Sequence, residues 1–398
     1  MAAPLAILGG PPVRSSLLVF GSPLIGQPEI DEVVDSLRSG WIGTGPKVAR
    51  FEEMFRDYVG ARFAVAVNSC TAALHLSMLA SQIGPGDEVI TTPMTFAATA
   101  NAIIHTGARP VFVDVDRGTQ NISPDGIASA VTPRTRAIMP VHFAGYPCDM
   151  DAITSIASEH GLLVIEDAAH CVEGSFRDKK IGAIGDATCF SFYVTKNVTT
   201  IEGGMVTTND RTLADRVKVS ALHGLSRDAW RRFSDAGYRH YQVIAPGFKY
   251  NMTDVQASLG LHQLPRVGEN HAHREQIWDR YDAAFADLPV DLPMRPSDGS
   301  VHALHLYTLH LRLNELSATR DEVLDALQAE NIGCGVHYVG LHLHDYYQRA
   351  FGLSPDDFPE SSYISERTLS IPFSAKLSQD DIDDVVAGVR KVLATYAR

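Results

Sequence analysis

Between about residues 60 and 210, short apolar, β-rich runs alternate with segments of helical periodicity, and this alternation constrains the fold more than any other feature. Strands are predicted at residues 63–67, 88–92, 110–115, 137–141, 162–165, 188–192 and 205–208. Apolar residues recur at helical spacing at 71–81, 96–106, 124–130 and 150–160. Such alternation predicts an α/β domain with a mostly parallel, seven-stranded sheet, whose ligand site lies beyond the carboxyl ends of strands.

The pattern changes near residue 265. A long helix at 264–288 leads into a proline-rich stretch, and a strand at 304–313 and helices at 319–330 and 379–396 follow. We therefore predict two domains. The large domain covers residues 1–265 with an N-terminal arm, and a smaller C-terminal α+β domain covers residues 266–398.

Composition argues against several classes of protein. A net charge of −13 disfavours a nucleic-acid surface. No apolar run approaches the roughly 20 residues of a spanning helix, and the start lacks a basic region, so we expect neither a membrane span nor a signal peptide. The cysteines form no CxxC pair, which disfavours a disulfide scaffold or zinc module and favours a cytoplasmic location. They are Cys70, Cys148, Cys171, Cys189 and Cys334.

Lys196 lies just after the predicted strand at 188–192 and before the Gly203-Gly204 pair. An ammonium at the end of a buried strand is costly unless it is paired or neutralised. Lysine amines of lowered pKa form Schiff bases with carbonyl compounds, among them pyridoxal phosphate (PLP). A lysine that reaches from a strand end into water fits the same pattern, so other residues must decide between the two interpretations.

Polar residues at two other strand ends suit a phosphorylated pyridine ring. Ser69 and Thr71 are candidates for the N-cap of the helix after the first strand, and a helix N-terminus attracts phosphate. Asp167 ends the strand at 162–165, where a carboxylate would keep a pyridine nitrogen protonated and make the ring an electron sink. His170 would hydrogen-bond the ring's phenolic oxygen.

Two more residues complete the pattern. Phe96 follows the second predicted strand and would stack on a cofactor ring. Ser191 offers a hydroxyl to a phosphate. Each of these residues also has an ordinary role open to it, as a helix cap, a core side chain or a strand serine. Their joint order along one parallel sheet favours the cofactor site.

In this order the features resemble the fold-type I PLP-dependent transferases, and more narrowly the nucleotide-sugar aminotransferases of the DegT/DnrJ/EryC1/StrS family. The resemblance covers nearly the whole chain. Its most specific blocks are Lys-Asn-Val-Thr-Thr-Ile-Glu-Gly-Gly at 196–204 and Pro-Gly-Phe-Lys-Tyr-Asn-Met-Thr-Asp at 246–254. Further matching blocks lie at 20–26, 39–46, 166–170, 335–338 and 369–372.

The resemblance implies catalytic roles for Lys196, Asp167 and His170, and a cofactor-binding role for Phe96. Lys196 would form the Schiff base with PLP and later move the proton between cofactor and substrate. Asp167 would pair with the pyridinium, and His170 would contact the phenolic oxygen. Phe96 would stack on the ring.

The resemblance also implies binding residues. The Thr71 and Ala72 amides, with Ser191, would bind the phosphate. Asn251 would reach the same phosphate from a neighbouring subunit, which implies a homodimer with shared active sites. The sugar nucleotide would contact Trp41, His337 and Tyr338.

Three positions depart from the family pattern. Cys70 stands where many members have glycine. Ile201 replaces a common glycine before Glu-Gly-Gly, which would reshape the turn beside Lys196. Gly340 stands where proline is usual, which would loosen the substrate loop.

The implied reaction transfers an amine from L-glutamate, or glutamine, to a nucleotide-linked ketosugar at C4 of a 4-keto-6-deoxyhexose or pentose. Amination at C3, a cyclitol acceptor and a non-catalytic PLP-binding regulator stay open as alternatives. Lys196 argues against the family's sugar dehydratases, which carry histidine at this position.

A metal protein is a further alternative, because histidines cluster in the last third of the chain. Their spacing does not put three on one strand face, and no neighbouring acidic or cysteine pattern resembles a metal site, so we predict none. These histidines are His302, His305, His310, His337, His342 and His344.

Overall fold

The computed structural model describes residues 4–226 and 242–398. The predicted large domain includes the remaining residues, 1–3 and 227–241, which lie outside this description. The strands are β1 (Phe63–Val67), β2 (Glu88–Thr91), β3 (Arg109–Phe112), β4 (Thr135–Ile138), β5 (Leu163–Asp167), β6 (Ser175–Phe176), β7 (Lys179–Lys180), β8 (Ala187–Ser191), β9 (Gly204–Thr208), β10 (Val290–Asp291), β11 (Tyr307–Leu311) and β12 (Thr368–Ile371).

Helices surround these strands and connect most of them. They are α1 (Gln27–Ser39), α2 (Pro46–Val59), α3 (Cys70–Ala80), α4 (Ala97–His105), α5 (Pro124–Ala130), α6 (Met150–His160), α7 (Arg211–Ala221), α8 (Asp254–Gln263), α9 (Val267–Phe285), α10 (Arg320–Ala329), α11 (Asp345–Phe351), α12 (Pro359–Arg367) and α13 (Gln379–Tyr396). Among the described helices, none is long and apolar enough to cross a membrane.

The large sheet has seven strands in the order β1-β9-β8-β5-β4-β2-β3. Strand β9 runs antiparallel to both of its neighbours, and the other pairs are parallel. All seven predicted strands form this sheet, with boundaries that shift by a few residues, so the predicted mostly parallel, seven-stranded α/β architecture is confirmed. Because the strands are parallel, the carboxyl ends of β1, β5 and β8 meet at one edge.

Helices bury both faces of the sheet, which explains why its strands are apolar throughout. Side chains alternate between the faces along a strand. Val65 and Val67 of β1 lie in a core shared with α3, α4 and α7. Ala66, between them, lies in a second core with α2, α6 and α8.

The C-terminal part of the chain builds a third core around the antiparallel sheet β10-β11-β12. In this core the buried rings of Trp278 and Tyr281 each pack edge to face against Tyr307, an arrangement that aromatic pairs prefer. Leu5 from the N-terminal segment packs into the same core. The predicted boundary between residues 265 and 266 stays a prediction.

The predicted strand at 304–313 is wrong at its start. Residues 303–306 lie outside the small sheet and hydrogen-bond instead to residues 144 and 145. Ala303 N–H donates to Gly145 O (2.8 Å) and His305 N–H donates to Ala144 O (3.0 Å). Strand β11 therefore covers Tyr307–Leu311. The segment before it reaches the edge of the large sheet where the parallel strands end.

Glu330 anchors the N-terminal segment to the third core. Its side chain is fully buried and accepts hydrogen bonds from Ala6 N (2.8 Å) and Val13 N (2.9 Å). It also forms a salt bridge with Lys391 Nζ at 2.8 Å. A buried carboxylate with these partners has its charge balanced by one cation and two backbone dipoles.

We expect Glu330→Ala to lower the free energy of unfolding by about 3 kcal/mol, because it leaves a shielded ammonium and two amides without a partner. Glu366→Ala is the matched control, since the Glu366–Arg367 pair lies at the surface and should contribute less than about 1 kcal/mol. Urea unfolding at neutral pH measures both. Equal losses in the two variants would contradict the anchoring role.

Candidate active site

A cavity of about 470 Å³ opens at the sheet edge where β1, β5 and β8 end. Its size suits a small-molecule site. The segment before β11 and the loop near residue 338 close its far side. The predicted site residues that line it are Thr71, Phe96, Asp167, His170, Ser191, Lys196, His337 and Tyr338. Trp41, Ala72 and Asn251 are not among its lining residues.

Lys196 lies on a tight turn after β8. Its backbone N–H donates to Tyr193 O (2.9 Å), and the Thr200 N–H donates to Phe192 O (2.9 Å). Strand β9 can begin this close to the β1–α3 turn only because Gly204 has no side chain. A Cβ on Gly204 would lie 2.5 Å from the Ser69 carbonyl. Burial lowers the pKa of the Lys196 ammonium to about 8, although the charge of Asp167 opposes this. Roughly a tenth of Lys196 is therefore a neutral amine at pH 7, far more than for an ordinary lysine.

Asp167 is buried at the end of β5. Thr99 Oγ1 donates to its Oδ2 (2.8 Å), and Ala169 N–H donates to its Oδ1 (3.1 Å). Thr95 lies 2.7 Å from the Thr99 hydroxyl and extends this network. Burial raises the pKa of Asp167, while its hydrogen bonds and the Lys196 charge lower it. A cationic N–H in the cavity would stabilise the carboxylate.

His170 presents an unsatisfied ring nitrogen. Its Nε2 lies 3.2 Å from the Tyr338 hydroxyl, and its Nδ1 is buried with no hydrogen-bond partner among the described residues. Burial, helped by the Lys196 charge, holds the pKa of His170 well below its usual range. A buried polar atom without a partner is uncommon in a folded protein and is expected where a ligand completes the site.

Phe96 is 62% exposed although its neighbours along the chain are largely buried. Its ring lines the cavity, 6.1 Å from the Tyr338 ring. An aromatic face kept open beside a polar cavity suits stacking on a flat ligand. Together the lysine amine, the buried carboxylate, the unpartnered imidazole and this open ring fit PLP.

The helix N-terminus at α3 differs in detail from the prediction. Ser69 is the N-cap, with its hydroxyl accepting from Ala72 N at 3.1 Å. Thr71 as a cap candidate is wrong, because it is the second residue of α3. Its exposed side chain lines the cavity instead. The Ala72 amide already has a partner in the cap, which competes with its predicted phosphate contact. That contact stays a prediction.

Asn251 lies outside the cavity of its own chain, at the end of β1, where it forms a bridge with Val67. Its Nδ2 donates to Thr44 Oγ1 (2.6 Å), and Lys249 Nζ donates to its Oδ1 (2.6 Å). Trp41 is exposed three residues before Thr44. The expected contact of Asn251 with a neighbouring subunit's phosphate stays a prediction.

Two of the three departures have local backbone features that bear on these expectations. Ile201 adopts φ +72°, a left-handed conformation that glycine adopts without strain. Gly340 donates its N–H to Ser365 Oγ (2.9 Å), a bond that proline lacks. The segment therefore has an anchor at this point, and the expected looser loop stays a prediction. A Cβ on Gly340 would also lie 2.6 Å from the His342 ring.

Three of the histidines of the last third have separate hydrogen-bond partners. His337 meets Ser370 Oγ (2.9 Å), His342 meets Ser362 Oγ (2.8 Å), and His344 meets Val339 O (3.3 Å). Within residues 4–226 and 242–398, no group of three or more histidine, cysteine or acidic residues is placed to hold a metal ion.

Sequence reasoning missed Thr99 and considered His305 only as a candidate metal ligand. Thr99 lies one helical turn after Phe96, so both side chains lie on the same face of the predicted helix. Its hydroxyl could have been recognised from this spacing as a hydrogen-bond partner for Asp167. Nothing in the sequence around His305 indicates that it lies in the cavity, because the hydrogen bonds that place residues 303–306 there are made to residues distant in the sequence.

Comparisons with known proteins agree with this geometry. The sequence profile of the DegT/DnrJ/EryC1/StrS aminotransferase family matches residues 23–390. The chain is 52% identical over 381 residues to the spore coat polysaccharide biosynthesis protein SpsC of Bacillus subtilis, covering 96% of this chain and 98% of that protein.

Solved structures agree in the same way. Spr1654 of Streptococcus pneumoniae, provisionally described as a sugar aminotransferase and solved in its PLP form, is 32% identical with a TM-score of 0.88, covering 95% of this chain and 99% of that chain. The Helicobacter pylori aminotransferase PseC, involved in the biosynthesis of pseudoaminic acid, is 26% identical with a TM-score of 0.88, covering 96% and 100%.

We expect Lys196 of the cofactor-free chain to react with pyridoxal with a midpoint near about pH 8, because only the neutral amine attacks the aldehyde. Borohydride reduction at each pH, followed by peptide mass spectrometry, measures the labelled fraction. Lys196→Arg controls for labelling elsewhere on the same peptide. A midpoint above about pH 10, as for an ordinary lysine, would refute the buried environment of this amine.

Proposed function

Because the chain belongs to the DegT/DnrJ/EryC1/StrS aminotransferase family, we propose that it moves an amino group from L-glutamate to a nucleotide-linked ketosugar. The family is PLP-dependent, the chain is a transaminase of fold-type I, and its cofactor is PLP. In the proposal the acceptor carbon is C4 of a 4-keto-6-deoxyhexose or pentose. The observation that carries it is Lys196, an amine of lowered pKa that shares a cavity with buried Asp167.

The residues divide the work by position. Bound PLP supplies electron withdrawal, which makes the C–H bond beside the substrate nitrogen acidic. Lys196 Nζ would hold the cofactor covalently and, when free, would move the proton as a general base. The Asp167 carboxylate, oriented by Thr99 and Ala169, would keep the pyridine nitrogen protonated. His170 would hydrogen-bond the phenolic oxygen, and Phe96 would stack on the ring.

A second cavity of about 720 Å³ supports a nucleotide-linked acceptor. It shares Thr95, Phe96 and Tyr338 with the first cavity, so the two cavities are adjacent. Exposed Tyr346 offers a ring on which a nucleobase would stack. The polysaccharide role in the name of the Bacillus subtilis relative also supports a sugar acceptor. The free cysteines support a reaction in the cytoplasm.

The deciding experiment incubates the protein with PLP, L-glutamate and a panel of nucleotide-linked 4-keto and 3-keto sugars. Mass spectrometry should find the keto-to-amine change on a 4-keto member. Lys196→Ala should lower that rate by at least about a thousandfold, because the proton-transfer base is lost. Lys179→Ala, an exposed lysine, is the control.

Other outcomes redirect the proposal. Amination of a 3-keto member alone would overturn the C4 assignment. Loss of the yellow colour of bound PLP on addition of glutamate, without amination of any sugar, would overturn the sugar acceptor and point to a cyclitol. An unchanged colour would favour the regulator. Full turnover by Lys196→Ala would refute the mechanism.

We propose that the working unit is a homodimer with shared sites. Helix α1 exposes Ile30 (48%) and Leu37 (58%) two helical turns apart, and Trp41 (44%) and Ile42 (52%) follow the helix. Exposed apolar side chains on a helix and on the turn that follows it support a protein interface. Thr44, which hydrogen-bonds Asn251, adjoins this surface, so a partner docked here would lie near the residue expected to cross between subunits.

We expect Leu37→Asp to weaken the dimer and the affinity for PLP together, each by at least about tenfold, because a buried unpaired carboxylate opposes association. Met294→Asp is the control, as a similarly exposed apolar residue (48%) on the small domain. Analytical ultracentrifugation and a PLP titration measure the two quantities. A monomeric variant that keeps its PLP affinity would refute the shared site.

A further inference from the structure

A network of polar groups converges on Asn197, which directly follows Lys196 in the chain. Asn197 Nδ2 donates hydrogen bonds to Glu173 Oε2 (2.8 Å) and to Ala303 O (2.8 Å). Its Oδ1 lies 3.0 Å from His305 Nδ1. The proposed mechanism gives Asn197 no role.

The direction of the Asn197 amide is fixed by its neighbours. Its Nδ2 faces the Glu173 carboxylate and the Ala303 carbonyl, which only accept hydrogen bonds. An inverted amide would place an oxygen against both acceptors. Oδ1 is therefore the atom that faces His305, so Nδ1 of that ring carries a hydrogen and donates it.

The network reaches helix α9 through an ion pair. Glu173 pairs with Arg274 of α9, and both side chains are almost fully buried. Such a pair resists displacement, because a shift would leave a buried charge without its partner. Asn197 is thereby connected to three parts of the chain that are distant from it in the sequence: the segment before β6, helix α9 and the segment before β11.

The backbone hydrogen bonds of the Lys196 turn, residues 192–200, play a different part. Lys196 N–H donates to Tyr193 O and Thr200 N–H donates to Phe192 O, so both bonds begin and end within the turn. These bonds set the shape of the turn. The side chain of Asn197 bonds to groups outside the turn and so sets its position against them.

We propose that Asn197 is a positioning residue, which anchors the Lys196 turn to Glu173 and to residues 303–305 and so keeps the Lys196 amine inside the cavity. Successive Cα atoms lie about 3.8 Å apart, so an anchor at Asn197 limits the movement of Lys196. The proposed proton transfer requires the amine, when free, to stay within reach of the reacting carbon. The inference rests on that role of Lys196 and not on the sugar acceptor.

The first test measures the reaction of Lys196 with pyridoxal in the cofactor-free full-length chain. In Asn197→Ala the turn loses its anchor and water reaches the amine, so the midpoint should rise from about pH 8 by about one pH unit. The rate at pH 7 should then fall about tenfold. Asn197→Leu keeps a side chain branched at the same carbon but makes no hydrogen bonds, and it should give the same shift.

The midpoint reports the burial of the amine, because Asn197 is neutral and its replacement removes none of the charges around Lys196. The titratable groups that face the amine are Cys70, Asp167, His170, His305 and His337. All of them remain in both variants.

Gln263→Ala is the matched control, because this buried amide makes the same kinds of hydrogen bonds away from the cavity. Its Nε2 donates to Glu29 Oε1 (2.8 Å) and to Leu24 O (2.9 Å), and Glu29 in turn pairs with Arg266. Gln263→Ala should destabilise the fold to urea about as much as Asn197→Ala does. It should leave the midpoint of the pyridoxal reaction at the wild-type value.

The second test requires no reaction at Lys196. Hydrogen exchange followed by mass spectrometry measures how often the peptide covering residues 192–200 opens in the full-length chain. In this peptide both Asn197 variants should exchange at least about tenfold faster than the wild type, and Gln263→Ala should exchange at the wild-type rate.

The anchor is refuted if either Asn197 variant keeps the wild-type exchange rate, because the turn would then hold its position without the amide. Faster exchange with an unchanged midpoint would refute the placement of the amine. A shift in Asn197→Ala alone would assign the effect to packing, and an equal shift in Gln263→Ala would assign it to general loosening of the fold. Since exchange is measured without cofactor or sugar, failure of the anchor and failure of the proposed function are distinguishable.

Discussion

The opposite charges of Lys196 and Asp167 share one buried cavity, and the rest of the site depends on how that burial is managed. Burial lowers the pKa of Lys196 and raises the pKa of Asp167, so it favours the neutral form of each group. The attraction between the two charges opposes both shifts. The result is a lysine that is partly neutral near pH 7 and a carboxylate that gains stability from a cationic ligand. A surface pair would have neither property, because water would solvate both charges.

The parallel sheet makes this arrangement possible. The carboxyl ends of β5 and β8 bring Asp167 and Ser191 to one edge, and the turn after β8 carries Lys196 over it. Gly204 lets the antiparallel strand β9 start against the Ser69 carbonyl, where any side chain would collide. The cap of α3, the lysine turn and the acidic strand end are thus held together by backbone contacts rather than by mobile side chains.

The sequence predicted what depends on short-range patterns. All seven strands of the large sheet follow from apolar runs, and α5, α6 and α13 match their predicted bounds. Lys196 and Asp167 lie where a strand end should place them. Thr71 was misjudged as a cap because Ser69 and Thr71 have equal capping chemistry, and only the backbone direction decides between them.

Long-range contacts account for what the sequence did not reveal. Residues 303–306 have the composition of a strand, yet their amides donate to Ala144 and Gly145, which lie far away in the sequence. No periodicity in a single segment reports such a partner, so the entry of His305 into the cavity was hidden. The same hydrogen bonds place residue 303 so that Ala303 O accepts a hydrogen bond from Asn197 Nδ2. These tertiary contacts therefore both place residues 303–306 at the cavity and fix the amide that orients the His305 ring, so the position of this segment decides which groups lie beside Lys196.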